Sequence, residues 1–350
     1  MKQGIATVRQ LDGFSGFDEI IDVRSPAEFA EDHIPGSINC PVLDNEQRIE
    51  VGTLYKQVSP FEAKKIGAAY VAENIARHLR EKFLDRPKTW RPLIVCWRGG
   101  QRSGSMNFIF RRVGWDSQQL ENGYKIYRKM VVDNLAELPR RLRLMVICGA
   151  TGSGKSRILQ ALGRLGEQVL DLEELACHKG SVLGVLPDSA QPSQKMFDSK
   201  LLVALRTFDL TRAVYVEAES RKIGSIHLPD ALIETMRCAE CVSIEAAFAA
   251  RVDFLLRDYD YFLTSPDWLI SRLEALRQLQ SRETIARWHG QVSNAQWREL
   301  VSELLELHYD PHYHRSQNRN YAGFGAPQIF ATDDLTPAGV DAVARRIIGA

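Results

Sequence analysis

The sequence lacks the long apolar segments of membrane proteins. No uninterrupted apolar run in its 350 residues approaches the roughly 18 needed to cross a bilayer. The first residues also lack the apolar block of a secretory signal, although Lys2 and Arg9 are basic. We therefore expect a cytoplasmic protein that makes no use of a membrane.

The sequence also lacks the cysteine spacing of a small disulfide-rich domain, which favours a reducing compartment with free thiols. Its six cysteines are widely scattered: Cys40, Cys96, Cys148, Cys177, Cys238 and Cys241. The last two form a C-x-x-C pair, but no second pair completes a four-ligand zinc site, so a structural role is favoured. His308, His312 and His314 surround a predicted turn. No metal site is expected at either place.

The sequence lacks an excess of charge of either sign, because its basic and acidic residues nearly cancel to a net charge of +1. The chain as a whole therefore does not attract nucleic acid, and any RNA binding must come from local basic patches. Solvated surface charge is the favoured interpretation of each candidate patch taken alone. The candidates are Arg111 with Arg112, Arg140 with Arg141 and Arg143, and Arg315 with Arg319.

The length favours two domains. Pro139 and the basic run that follows it read as a linker, so we expect domains at 1–139 and 140–350. Both halves alternate short apolar strands with amphipathic helices, which predicts α/β folds with parallel sheets. The expected strands are Glu19–Val23, Leu93–Val95, Leu144–Cys148, Gln168–Leu170 and Ala213–Val216. The expected helices are Ala63–Phe83, Ser103–Val113, Tyr124–Leu138, Lys155–Leu165 and Gln194–Phe208. Residues from about 230 to 308 read as almost wholly helical, a helical insertion or lid that includes Trp268–Leu279 and Asn294–Leu307.

A glycine-containing loop, Cys96–Ser103, follows one predicted strand and opens a helix. Its backbone N–H groups and the helix N-terminus create an anion site, and Arg98 and Arg102 add positive charge. These features favour a thiolate at Cys96, and the thiolate is the nucleophilic form. The spacing C-x5-R is shared by cysteine phosphatases and by sulfur-transferring domains, so the loop alone leaves both open.

Residues upstream decide between the two. The segment Ile21–Phe29, with Asp22, Arg24 and Glu28, followed by His33–Asn39, resembles the rhodanese signature. A rhodanese-like thiolate accepts sulfur or selenium as a persulfide or perselenide and passes it on. The resemblance implies that role for Cys96 and makes a phosphatase unlikely.

The second half contains a phosphate-binding motif. Gly149–Ser156 fits G-x-x-x-x-G-K-[ST] between a predicted strand and a predicted helix. The backbone N–H groups of Gly149, Thr151, Gly152, Ser153 and Gly154 would cradle phosphate, Lys155 adds a charge and Ser156 could bind Mg²⁺. Glu217 and Glu219, just past the next strand, stand where a metal-orienting acid is often found, and a solvated strand end is an equal alternative.

With both motifs, the chain resembles the bacterial tRNA 2-selenouridine synthase family. The resemblance extends over Val51–Gln57, Ser59–Lys65, Glu121–Lys125 and Val216–Gly224, and it is thinner in the helical region. Two departures stand out. Lys179 replaces the arginine that the family often has, which loses a planar fork, and Gln101 replaces an apolar residue in the cysteine loop.

The resemblance implies a two-step modification of the wobble uridine in tRNAs for Lys, Glu and Gln. The 2-thio group is first alkylated from geranyl diphosphate, and selenium from selenophosphate then replaces the geranylated sulfur. We expect these two compounds as co-substrates, Mg²⁺ as an optional helper, no tightly bound cofactor, and a selenophosphate-supplying enzyme as a possible partner. Two alternatives remain open at this point: a sulfurtransferase coupled to a P-loop kinase or ATPase, and a non-catalytic rhodanese scaffold.

Overall fold

The structure is a computed structural model that describes residues 4–187, 189–311, 313 and 325–349. Its backbone contacts divide the chain into two units. The first is built from residues up to Asn134 together with Ser193–Val203, and the second from Leu135–Pro192 and the residues from Ala204 onward. Among the described residues, no helix is both long enough and apolar enough to cross a membrane.

The first unit is a five-stranded parallel sheet with helices. Its strands are β1 (Ile5–Ala6), β2 (Glu19–Asp22), β3 (Ile38–Asn39), β4 (Pro92–Val95) and β5 (Gln118–Leu120). The helices of this part of the chain are α1 (Pro26–Glu31), α2 (Asn45–Gln57), α3 (Pro60–His78), α4 (Gln101–Val113) and α5 (Gly123–Glu137). The strand order in the described sheet is β1-β5-β4-β2-β3.

Strand β4 shows why this unit folds as a covered sheet. Every residue of Pro92–Val95 is buried, as expected of a parallel strand that helices cover on both faces. Ile94 pairs with Ile21 of β2 and packs in a core that includes Phe83 and Phe110. The carboxyl end of β4 therefore delivers the next residue, Cys96, to the edge where parallel sheets carry their sites.

The second unit is also a five-stranded parallel sheet, in the order β12-β11-β6-β8-β7. Its strands, including a separate antiparallel pair β9 and β10, are β6 (Arg143–Gly149), β7 (Gln168–Leu170), β8 (Ala213–Glu217), β9 (Lys222–Ile223), β10 (Ile226–His227), β11 (Glu240–Ala246) and β12 (Gln328–Thr332). The helices that follow α5 are α6 (Lys155–Arg164), α7 (Leu172–Ala176), α8 (Gln194–Thr207), α9 (Asp230–Cys238), α10 (Phe248–Asp258), α11 (Asp260–Thr264), α12 (Pro266–Leu273), α13 (Arg282–Ser293), α14 (Trp297–Leu304) and α15 (Pro337–Ile348).

The prediction of an almost wholly helical region from 230 to 308 is wrong at Glu240–Ala246. This segment is strand β11, which lies between β6 and β12 with Val242 opposite Ile147. A seven-residue run with an apolar stretch has no periodicity long enough to separate a buried strand from a helix. Its pairing with β6, almost a hundred residues away in the chain, decides the outcome.

The helical part of the second unit has its own core. Helices α11–α14 pack around Trp288, which is fully buried, together with Leu273 and Leu300. Two expected helices are shorter than predicted, because Glu274–Gln278 tightens into a 3-10 turn and Leu305–Tyr309 widens into a π turn. This core flanks the phosphate loop described below.

Candidate functional site

The cysteine loop holds the Cys96 sulfur among hydrogen-bond donors. The Gly100 N–H points at Sγ over 3.2 Å, and the Ser103 hydroxyl lies 3.0 Å from it. Gln119 Nε2 donates to the Ser103 oxygen over 3.0 Å, so that hydroxyl is free to direct its own proton to the sulfur. Cys96 is only 3% exposed. Both donors would stabilise negative charge on sulfur, as a nucleophilic thiol requires.

Gly123 allows the chain to pass close to the backbone of the cysteine loop. Its φ of +55° is in the left-handed region, and a Cβ there would lie 2.1 Å from the Cys96 carbonyl oxygen. The Tyr124 N–H donates to that same oxygen over 2.8 Å. Only glycine can come this close to the Cys96 carbonyl. The first residues of α5 therefore help to set the conformation of the cysteine loop.

Arg102 forms an ion pair with Glu28 and also places its positive charge near Cys96. Its guanidinium makes two hydrogen bonds to the Glu28 carboxylate, at 2.6 and 3.1 Å. Burial favours the neutral carboxyl, but hydrogen bonds and charge from Arg102 outweigh it and lower the pKa of Glu28. Burial also opposes the charge on Arg102, and Glu28 raises the pKa of Arg102 in spite of it. In the part of the chain that the structure describes, Arg98 is exposed and has no ion pair, so it is the cation free to meet an incoming anion.

The other signature residues build the fold around the loop. Asp22 and Arg24 are each 1% exposed and form an ion pair at 2.6 Å. Arg24 also donates to the Asp32 carbonyl over 2.7 Å and lies 4.0 Å from the centre of the Tyr124 ring. His33 stacks on Phe29 at the end of α1. These contacts connect strands and helices and do not reach the sulfur.

Removing Arg24 is expected to cost stability. An Arg24→Ala variant leaves the Asp22 carboxylate buried without its charged partner, which typically costs about 3–5 kcal/mol. The free energy of unfolding of the first unit, followed by tryptophan fluorescence in urea, measures this loss. Arg98→Ala serves as the control, because an exposed side chain changes stability by only about 0.5 kcal/mol or less. Equal stability of the two variants would show that the buried pair is not structural.

The phosphate loop lies between the carboxyl end of β6 and the start of α6. Helix α6 begins at Lys155, and Gly154 before it has a φ of +76° that favours glycine. Lys155 Nζ turns back onto the Gly149 carbonyl oxygen at 2.9 Å. Ser153 Oγ is buried and has no hydrogen-bond partner among the described residues. The loop borders a pocket of about 410 Å³ in which a phosphate chain can meet Lys155 and Ser156.

A buried arginine that the sequence did not single out supports this loop. Arg251 of α10 donates to the Thr151 carbonyl oxygen over 2.9 Å. Its guanidinium also pairs with Asp310 at 2.5 Å. The Arg251–Asp310 pair positions the loop backbone, and nothing local in the sequence could have indicated it, because the partners are distant along the chain.

Three carboxyl groups face the phosphate loop. Ser156 Oγ lies 3.2 Å from both Glu173 Oε2 and Glu217 Oε1, and Glu219 follows two residues later. Burial, together with repulsion from the neighbouring carboxylates and against the attraction of Lys155, raises the pKa of each of the three to about 8. Glu217 is only 3% exposed, which excludes the solvated strand end as its interpretation.

This acid cluster predicts a pH dependence of stability. Unfolded glutamates titrate near 4.5, and the folded groups near 8, so the folded chain binds more protons between these values. Stability is therefore fully present below about pH 4.5 and falls as the pH rises towards 8. We expect Glu217→Gln to reduce this fall by roughly 2–4 kcal/mol, measured as the free energy of unfolding without ligand at pH 5 and pH 8. Glu240→Gln, at an exposed carboxylate, should keep the wild-type slope, and parallel slopes for all three proteins would contradict the assignment.

The lysine that departs from the family pattern also lines the phosphate pocket. Lys179 Nζ contacts the Asp258 carboxylate at 2.6 Å and lies 4.0 Å from the centre of the Tyr259 ring. Burial opposes the charge on Asp258, but Lys179 and then Arg157 lower the pKa of its carboxyl group. The ammonium therefore makes one charged contact where an arginine would offer two parallel ones.

The remaining cysteines belong to other segments of the chain than the cysteine loop. Burial raises the pKa of Cys40 to about 11, which keeps that thiol neutral. A hydrogen bond with Cys241, followed by burial, raises the pKa of Cys148. Cys238 is exposed at the end of α9, whereas Cys241 is buried in β11, so the C-x-x-C pair spans two elements. No group of three or more His, Cys, Asp or Glu in the described ranges is arranged to hold a metal ion.

The basic patches are partly committed to local contacts. Arg111 donates to the Ser117 carbonyl, and Arg112 lies over Phe108. Arg140 pairs with Glu234 at 2.8 Å.

Gln101 is exposed at the first position of α4. His308 is buried beside the phosphate pocket, while His312, His314, Arg315 and Arg319 lie outside the described residues.

Fold and sites together define a class: a rhodanese-like thiol domain followed by a P-loop domain. Residues 7–130 match the family described as rhodanese-like domain, and residues 142–266 match the tRNA 2-selenouridine synthase AAA domain. The chain is 30% identical over 327 residues to the tRNA 2-selenouridine synthase of Alcanivorax borkumensis, covering 84% of this chain and 88% of that one. It is 34% identical over 299 residues to that of Shewanella halifaxensis, covering 82% and 80%. The chain belongs to the tRNA 2-selenouridine synthase family.

Another relative aligns over a smaller share of its length. The tRNA 2-selenouridine synthase of Nitrosomonas europaea is 36% identical over 266 residues, which are 74% of this chain and 66% of that one. For the protein of Nitrosomonas eutropha the corresponding share is 64%. The chain thus spans slightly less than two thirds of these two relatives.

Proposed function

We propose that the protein modifies the wobble uridine of tRNA in two steps, one at each site. The phosphate loop binds geranyl diphosphate and supports alkylation of 2-thiouridine, and the Cys96 loop then supports replacement of the alkylated sulfur by selenium from selenophosphate. The observation that carries this proposal is the Cys96 sulfur, held at 3.2 Å from an N–H and 3.0 Å from a hydroxyl, in a chain that also has a complete phosphate loop. The choice of tRNA as substrate and of selenium as the transferred element follows from the names of the relatives.

In the first step the thiocarbonyl sulfur attacks C1 of the geranyl group. The C1–O bond breaks, diphosphate leaves, and the uridine loses its N3 proton. Lys155 and the loop N–H groups stabilise the charge that develops on the departing diphosphate. The Ser156 hydroxyl with Glu173 and Glu217 offers the hard oxygen ligands that suit Mg²⁺, which would neutralise further phosphate charge when bound.

In the second step the Cys96 thiolate attacks the phosphorus of selenophosphate, so that the P–Se bond breaks and an S–P bond forms. The released hydroselenide attacks C2 of the alkylated uridine and expels geranyl thiolate, and water then cleaves the S–P bond. The exposed guanidinium of Arg98 and the N-terminus of α4 attract the phosphate group, while Arg102 holds Glu28 and with it the start of α1. Over the whole step, selenophosphate and water supply the selenium, phosphate is released, and the sulfur leaves as geranyl thiol. An enzyme that delivers selenophosphate and tRNAs for Lys, Glu and Gln are the proposed partners.

Mass spectrometry of wobble nucleosides tests this function. The full chain is incubated with 2-thiouridine tRNA, and geranyl diphosphate and selenophosphate are added singly and together. Geranyl diphosphate alone should yield S-geranyl-2-thiouridine, and both compounds should yield 2-selenouridine. Phosphate release from ATP without dependence on tRNA would favour a P-loop kinase or ATPase instead.

A further inference from the structure

An apolar chamber adjoins the phosphate pocket within the second unit. Thr151, Leu255 and Tyr259 line both spaces, so the chamber opens beside the phosphate loop. Its interior is formed by core residues of the helical region, including Leu269 and Leu300, and its cavity volume is about 70 Å³. A ligand held by its phosphates on the loop therefore has a hydrocarbon surface within immediate reach.

We propose that this chamber binds the hydrocarbon tail of a prenyl diphosphate whose head lies on the phosphate loop. The inference rests on the proposed prenyl transfer and adds to it the residues that recognise the tail. Helices α10, α11, α12 and α14 supply the chamber walls, and the loop supplies the anion site. A diphosphate with an apolar tail matches this sequence of a charged pocket followed by an apolar one.

The chamber walls discriminate against a nucleoside in the same place. A base and a ribose carry several hydrogen-bonding groups, and burying them against leucine, valine and phenylalanine would leave these groups unpaired. The polar groups along the chamber are few. Thr151, Ser181, Tyr259 and Tyr309, which carry hydroxyls, also line the phosphate pocket, and Trp297 adds one N–H group. A branched hydrocarbon loses no hydrogen bonds there, and it gains from leaving water.

The space is also unusual as a feature of packing. Protein cores leave few voids, and a space lined by apolar side chains destabilises a fold unless something fills it. The surrounding core is otherwise closed, with Trp288 and Leu273 fully buried. A tail that enters from the phosphate pocket would complete this packing.

Isothermal titration calorimetry of the full chain with four compounds tests the inference. Each buried CH₂ group contributes about fourfold to affinity, so the five additional carbon atoms of geranyl diphosphate should make it bind up to roughly 10³-fold more tightly than dimethylallyl diphosphate. Inorganic diphosphate should bind more weakly still, because it has only the head, and ATP should gain nothing from the chamber.

Substitutions that fill the chamber separate the tail from the head. Val301→Trp, at a half-buried wall position, should weaken geranyl diphosphate binding at least about tenfold and leave inorganic diphosphate binding unchanged. Unchanged inorganic diphosphate binding also shows that the variant is folded, and Leu256→Trp fills the chamber from α10 if Val301→Trp does not fold. Val132→Trp, at an exposed position of α5, is the matched control.

The outcomes distinguish the two proposals. If geranyl diphosphate binds and alkylates tRNA but filling the chamber has no effect on its affinity, the chamber assignment is overturned and the prenyl transfer stands. If the wild-type chain binds inorganic diphosphate or ATP but gains no affinity from a prenyl tail, both proposals fail together.

Discussion

Cys96→Ser is expected to abolish selenium incorporation into tRNA while geranylation of 2-thiouridine continues. A serine hydroxyl fits the same loop and keeps the contacts with Gly100 and Ser103, but it does not ionise readily and is a poor nucleophile. We expect the yield of 2-selenouridine to fall by at least about 10³-fold, the scale seen when a nucleophile is removed. Mass spectrometry of wobble nucleosides should show S-geranyl-2-thiouridine accumulating in its place.

Cys238→Ser is the matched control for this substitution, because Cys238 is exposed and lies in the other unit. It should leave both products unchanged. Full selenation by Cys96→Ser would support the non-catalytic scaffold, and an equal loss of geranylation would show that the two sites do not divide the reaction as proposed.

Lys155→Ala is expected to weaken binding of geranyl diphosphate and of inorganic diphosphate by the same factor. The Lys155 ammonium meets the phosphates that both compounds share, and hydrogen bonds to charged groups contribute about 1.5–3 kcal/mol, or roughly 10- to 100-fold in affinity. Geranylation should slow accordingly, because the same charge stabilises the departing diphosphate. Calorimetry with the two diphosphates measures the effect.

Arg345→Ala, which removes an exposed cation from α15, controls for the loss of positive charge in the same unit. It should change neither affinity. A Lys155→Ala variant that binds geranyl diphosphate as tightly as the wild type would move the phosphate loop to another phosphate, such as that of a nucleotide or of the tRNA backbone.

Sequence reasoning placed the two loops well because each depends on neighbouring residues. Glycines at set positions, a preceding apolar strand and a following helix are local properties, and the strands at Cys96 and Gly149 and the helices at Gln101 and Lys155 lie where those patterns predict them within a few residues. The family that the motifs indicated is the one that the matched domains and relatives show.

The errors and omissions concern residues that meet across long stretches of chain. The sequence pattern predicted a helix where strand β11 lies, because pairing with β6 and β12, and not the local pattern, decides the conformation of this segment. The sequence alone did not indicate the ion pair of Arg102 with Glu28, because the two residues are 74 positions apart. No local pattern indicates the role of Arg251, because its hydrogen bond to Thr151 spans 100 residues.

The sequence by itself determined the order of the two domains, the position of the cysteine loop at Cys96–Ser103 and the phosphate loop at Gly149–Ser156, because short-range spacing encodes each of them. The tertiary structure alone decided which charges are free and which are paired. It buried Asp22 with Arg24, turned Arg102 towards Glu28, and brought the carboxyl groups of Glu173 and Glu217 to Ser156. It also created the apolar chamber, because packing helices against one another leaves a space that no single helix contains.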